Sequence, residues 1–381
     1  MSMETQRLSA SHVTVGHPLP GDVYDENGHM LLSSGFVIES ESQLETLLAR
    51  GMYVDIATFK AHFASGSATP SSEPKKFDPF LLRDSLKKRL NRALRTLGED
   101  SETTAQIREI ASGVHELAAA DPEGAIASGL LDDEENYAIR HSLLTAILCD
   151  LTCTALDWPA DKRLSVVCAA LSMNAAVLDL QNKLVAQADA LNPQQQNLMR
   201  SHPEAAANKL REAGVDDPLW LAAVQEHHRL GGDTGSPRAL TQPGEAGQLV
   251  RLADVFGALV SQRGDRKPLA PPQALRNLLI QEGHGPWVAL AGTLVKVLGL
   301  FPPGTYVKLA NGEIAVVHRH GSAANAPLVA SITNSNGNPY MKPLRRDTQN
   351  KEFAVAGLTL RGKLATGYDL GLLWVRTMRP A

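Results

Sequence analysis

Five side chains are of types that can bind a metal and lie in or at the ends of predicted helices: His141 in HSLLTAIL, His202 in RSHPEAAANKL, the adjacent His227 and His228 in AVQEHHRLGG, and Asp254 in VRLADVFGALV. Neutral imidazoles and carboxylates are the side chains that bind divalent transition metals, and inward-facing His and Asp on several helices are a common way to build such a site. Each also has a plain structural explanation. A lone His on a helix face is usually a satisfied residue, and a His pair at a helix C-terminus is favoured by the helix dipole. Asp254 is harder to dismiss, because a carboxylate on an apolar helix needs a partner or a metal.

These residues lie in the middle of a chain whose patterning changes three times. In residues 1–60, DVYDENGHMLL sets Asn27-Gly28 between short strand-like runs, which predicts a hairpin. A helix should follow with Ser42 as its cap, Glu45 three residues later and Gly51 at its end. Residues 61–76, containing ASGSATPSSEPKK, have almost nothing to bury and read as a linker.

From 77 to 300 the apolar residues recur at helical spacing. Helices are predicted at 80–98, 102–118, 134–156, 160–173, 193–213, 217–228, 245–262, 271–282 and 286–298. Residues 301–381 turn β-like: TYVKL, Asn311-Gly312 and EIAVVHR read as a hairpin, with later strand-like runs PLVASIT, FAVAGL and GLLWVR. The expected fold class is mainly α, a helical bundle flanked by a small N-terminal α+β module and a small C-terminal β-rich module.

Composition narrows the function. With 37 Lys plus Arg against 41 Asp plus Glu, the chain lacks the basic excess of a double-stranded nucleic-acid binder. No apolar run reaches the ~18–20 residues of a membrane span, and the opening residues lack a signal-peptide core, so the expected location is the cytoplasm. Cys149, Cys153 and Cys168 lie among Leu, Ile and Ala and read as small core residues. GGDTGSP is glycine-rich but follows a helix and lacks the Lys of a phosphate-binding loop.

The order of the motifs resembles the HD-GYP family, a branch of the HD phosphohydrolases that hydrolyses the bacterial second messenger cyclic di-GMP. The similarity runs from about 135 to 320, through HSLLTAIL, AALSMNAAVLDLQ, SHPEAAANKL, EHHRLGGDTGSP, LVRLADVFGALVSQRGDR and GLFPPGTYVKLANGE. It implies a metal site in which His141, His202, His227, His228 and Asp254 match family ligands. Arg263 and Arg266 match positions that contact substrate phosphates, a task suited to forked guanidinium donors. Ser236, in Gly235-Ser236-Pro237, stands where the family has a Tyr that touches substrate.

The departure falls at the pair that gives the family its name. Where the resemblance calls for His-Asp, this chain has Met173-Asn174. A neutral amide cannot serve as an anionic bridge between two metals, and a thioether is a poor ligand for Fe or Mn. Val177, Arg229 and Tyr137 replace a family Lys, a Glu and a further ligating Glu. The resemblance therefore implies a degenerate, catalytically impaired member that holds one divalent metal, Fe or Mn, or none. It would act as a regulator that binds cyclic di-GMP or a related nucleotide and signalling proteins, with homo-oligomerisation compatible with that role. Its rivals are a metal-dependent phosphodiesterase with a remodelled site and a pure protein scaffold.

Overall fold

The computed structural model describes residues 5–8, 12–13, 15–16, 18–38, 40–56, 58–59, 76–99, 102–133, 135–228, 242–264, 266–282, 287–360 and 369–377. The linker expected at 61–76 lies outside the described residues except for Lys76. The chain divides into two compact units, one of Met1–Lys75 with Thr377–Ala381 and one of Lys76–Arg376.

In the first unit, β1 (Thr5–Arg7), β2 (Val23–Tyr24), β3 (Met30–Leu32), α1 (Glu41–Arg50) and β4 (Tyr53–Asp55) follow in order. The strands form an antiparallel sheet in the order β1-β4-β2-β3 over a core that includes Val23, Ile38, Leu44 and Val54. The Asn27-Gly28 hairpin forms as expected: Gly28 has a φ of 82°, and the Asp25 carboxylate accepts main-chain N–H bonds from Asn27 and His29. The cap differs from expectation. Ser40, the last extended residue, accepts from the Gln43 N–H at 3.2 Å, whereas Ser42 already lies inside the helix. A capping side chain must come from a non-helical residue, which selects Ser40.

The second unit contains eleven helices among the described residues: α2 (Pro79–Arg95), α3 (Thr103–Ala120), α4 (Pro122–Leu130), α5 (Tyr137–Ala155), α6 (Ala160–Ser172), α7 (Leu178–Ala186), α8 (Pro193–Glu212), α9 (Pro218–Glu226), α10 (Gln242–Val260), α11 (Pro271–Glu282) and α12 (Val288–Leu298). Helix α5 is the centre of the bundle, buried around almost its whole circumference, and packs against α6 and α10. A helix apolar on all sides belongs inside rather than at a surface. Cys149 and Cys153 on α5 and Cys168 on α6 are buried free thiols, and burial pushes Cys168 up to about 12.

Helices α4 and α7 were not anticipated. Helix α4 is short and rich in Gly and Ala, so it carries little amphipathic signal, yet Asp121 caps it by accepting from the Gly124 N–H at 3.0 Å and Pro122 opens it. Helix α7 has no side-chain cap to announce its start.

Five strands close the unit: β5 (Tyr306–Leu309), β6 (Ile314–Ala323), β7 (Ala326–Thr333), β8 (Pro339–Asp347) and β9 (Val355–Leu358). They form an antiparallel sheet in the order β9-β5-β6-β7-β8, and the Asn311-Gly312 turn joins β5 to β6 with Gly312 at φ 91°. Strand β8 was missed because PYMKPLRRD is polar and holds two prolines; at the sheet edge, where one row of N–H groups needs no partner, both are tolerated. The run GLLWVR forms no strand over its first residues. Leu370–Leu373 instead make a 3₁₀ turn capped by Asp369, which buries Trp374 against the sheet.

The sheet is fastened to the bundle by apolar contact and by charge. Ala127 of α4 packs with Tyr306, Val316, Ile332 and Trp374. Gly304, at φ 96°, permits this approach, since a Cβ there would lie 3.3 Å from Leu131 Cγ and 3.4 Å from Ala127 Cα. Arg319 of β6 donates to both oxygens of the buried Asp121 and, at 3.2 Å, to Glu123. Removing one member of a buried ion pair leaves its partner uncompensated, although Arg376 also reaches Asp121 at 3.2 Å. Arg319→Ala should therefore destabilise this unit by about 2–3 kcal/mol in urea unfolding, and an unchanged midpoint would show that the joint does not depend on this pair.

Candidate metal centre

The histidine of α8 is set by its neighbour. Pro203 has no N–H, so the Met199 carbonyl four residues earlier loses its intrahelical partner. His202 Nδ1 donates to that carbonyl at 2.8 Å. At the end of α9 the same logic applies to a carbonyl in the last turn, which has no helical N–H to accept from. His227 Nδ1 donates to the Val224 oxygen at 2.6 Å.

A carbonyl can only accept, so both Nδ1 atoms carry hydrogen and both Nε2 atoms of the neutral rings carry a lone pair. These two Nε2 atoms face each other at 3.2 Å. His228 completes the group, its ring centre 4.9 Å from that of His202 and 4.2 Å from that of His227. One ligand nitrogen from each of the three lies within 4.8 Å of the others.

Two lone pairs at that separation repel unless a cation lies between or beside them. A proton is a poor candidate near neutral pH, because burial pulls His202 down to about 4 and His227 to about 3. Three imidazoles, two of them on fixed tautomers, fit one divalent transition metal, with room in its coordination shell for water or substrate.

His141 and Asp254, the other two matched residues, are joined to each other. His141 Nε2 donates to Asp254 Oδ1 at 2.6 Å, inside the contact between α5 and α10. Burial opposes the charge on Asp254, but the His141 bond and the nearby imidazoles outweigh it and hold the carboxyl below the usual carboxylate range. Asp254 thus finds the partner that its place on an apolar helix demanded. His141 Nδ1 is buried without a hydrogen-bond partner among the described residues.

Met173 and Asn174 follow the last turn of α6 and are almost fully buried. The Asn174 amide nitrogen has no partner among the described residues, an arrangement that costs about 1–3 kcal/mol. Tyr137, one turn before His141, lies flat against it with ring centres 5.2 Å apart and planes at 17°. Its hydroxyl accepts from Arg263 at 3.1 Å, and burial pushes the phenol up.

Arg263 also lines a cavity of about 170 Å³ with Tyr137, Gln181 and Met199. Arg266 is turned elsewhere and donates to the Ala258 carbonyl at 2.6 Å, near the end of α10. Ser236 and Arg229 lie outside the described residues. Sequence reasoning missed the parts played by Tyr137 and by the Met199 and Val224 carbonyls; Pro203 was the one visible signal for a freed carbonyl.

The bundle and the order of its histidines define an HD-type helical domain. Residues 125–286 match the family model for the HD domain. A curated relative, the cyclic di-GMP phosphodiesterase PA4108 of Pseudomonas aeruginosa, is 24% identical over 231 residues, covering 59% of this chain and 55% of its own length. The chain therefore spans about half the length of that relative. Among solved structures, Bd1817, a HDG"Y"P protein from Bdellovibrio bacteriovorus, is similar with a TM-score of 0.49 and 15% identity, covering 77% of this chain and 99% of that one. Residues 125–286 thus carry an HD domain, and the order of its motifs is similar to that of the HD-GYP proteins. No helix among the described residues is long and apolar enough to cross a membrane.

The role of Pro203 is testable. In Pro203→Ala, the new N–H competes for the Met199 carbonyl and loosens the His202 tautomer. Metal affinity should fall by about tenfold, the usual loss when an outer hydrogen bond to a ligand is removed, while circular dichroism stays unchanged. Unaltered affinity in a metal competition titration would mean that this bond does not orient His202.

Proposed function

We propose that this protein is a degenerate HD-GYP signalling protein that has lost efficient phosphodiesterase activity and acts by binding a cyclic dinucleotide or a protein partner. The observation that carries this reading is Met173-Asn174, buried where the family resemblance calls for its His-Asp pair. His202, His227 and His228 would hold one divalent transition metal, Fe or Mn by resemblance, which when bound supplies Lewis acidity toward a phosphate oxygen. His141 and Asp254 satisfy each other, and neither Met173 nor Asn174 offers an anionic ligand for a second ion.

The relative's cyclic di-GMP points to the same ligand class here. Arg263, half-buried and held against Tyr137, would meet a phosphate in the cavity that it lines. The cavity it lines, about 170 Å³, is below the ~300 Å³ at which small-molecule sites usually begin. Accommodating a whole cyclic dinucleotide would require it to widen.

Metal analysis and calorimetry test the reading together. The expected result is about one transition metal per chain, cyclic di-GMP binding that Arg263→Ala weakens by about tenfold, and linearisation more than ~100-fold slower than by a two-metal relative. Rapid linearisation with added Mn or Fe would sink the proposal, and absence of binding would favour a pure scaffold. Restoring the pair with Met173→His and Asn174→Asp should raise the metal content above one per chain; an unchanged content would mean that the lesion lies elsewhere.

A further inference from the structure

A second, larger cavity of about 580 Å³ lies at the joint between the helical bundle and the C-terminal sheet. It is walled by the end of α4, by α5, by the segment that follows α10, and by residues at the β9–β5 edge of the sheet, including Tyr306 and Leu360. Its volume falls in the ~300–1,000 Å³ range of small-molecule sites. It shares no lining residue with the smaller cavity beside Arg263, and it meets the metal-ligand set only at the wall formed by His141.

The chemistry of the walls is two-sided. Leu144, Val260, Leu269 and Leu360 present apolar surface, and two cations, Arg140 and Lys267, stand among them. Lys267 is exposed and makes no hydrogen bond or ion pair among the described residues. Arg140 donates to the Asp132 main-chain oxygen at 2.7 Å and lies 5.7 Å over the Tyr137 ring, with no carboxylate partner among the described residues. The two acids of the lining do not cancel these charges. Asp132 is taken by Arg83 at 2.8 Å and Lys87 at 2.9 Å, and Asp133 has interactions of its own.

We propose that this cavity is a binding site for an amphipathic monoanion, a small molecule with an apolar body and a single carboxylate, sulfonate or phosphate head. The body lies against Leu144, Val260, Leu269 and Leu360, and the head is met by Lys267 and Arg140. This site is separate from the cyclic-dinucleotide reading and does not require the metal, so each can fail without the other.

The test uses the full chain and the fluorescent naphthalene sulfonate 8-anilino-1-naphthalenesulfonate as probe. One saturable site is expected, with the same affinity in metal-loaded and chelator-treated protein. Decanoate should displace the dye, and the uncharged decanol should need a concentration about tenfold higher, since a charge-assisted contact is lost. Lys267→Ala and Arg140→Ala should each raise the dissociation constant about fivefold to tenfold. Leu360→Trp, at a residue already partly exposed, should fill the cavity and remove the signal while the thermal midpoint is kept. Equal dye affinity in all three variants, or equal displacement by decanoate and decanol, would overturn the proposal. Should Arg140→Ala fail to fold, the exposed Lys267 and Leu360 variants decide the matter.

Discussion

The arrangement that the rest of the site depends on is the meeting of two lone pairs. Two backbone carbonyls, one freed by Pro203 and one freed by the end of α9, fix the protons of His202 and His227 on Nδ1. Both Nε2 atoms are then left pointing at each other. Burial removes the inexpensive remedy, protonation of one ring, by pulling both groups far below neutrality. The fold thus spends hydrogen bonds to hold an electrostatically unfavourable pair together, which is the arrangement expected where a cation compensates it.

The other half of the matched residue set follows the opposite rule. His141 and Asp254 meet at 2.6 Å and need no ion, and Tyr137 covers His141 by stacking while Arg263 tethers its hydroxyl. Each of these four side chains has a hydrogen-bond partner within the set. Asn174 contributes a buried amide nitrogen with no partner among the described residues rather than a charge. One cluster is left chemically open and the other is closed on itself.

Most of the bundle was legible because its apolar residues recur at helical spacing, and both Asn-Gly hairpins were legible because a tight turn requires a positive φ. Helix α4 and strand β8 were not, the first because Gly and Ala dilute the periodic signal and the second because an edge strand needs no apolar face. The identities of the five candidate ligands could be read from motif order. The resemblance also implied a three-imidazole cluster with His141 and Asp254 on its other side; that these two bond each other directly could not be read, since it depends on where α5 and α10 cross. The tautomers were equally hidden, although the proline after His202 states half of the reason in the sequence itself.

A second ion beside His141 would have to break the His141-Asp254 bond, whose acceptor carries a charge held firmly by its surroundings. Hydrogen bonds to charged groups are worth about 1.5–3 kcal/mol, and the loss would be repaid only by strong new ligands. In the family pattern an imidazole and a carboxylate stand at the positions of Met173 and Asn174. Here a thioether and an amide oxygen stand there, and neither delivers charge to the ion. The pair is therefore the better state for His141 and Asp254.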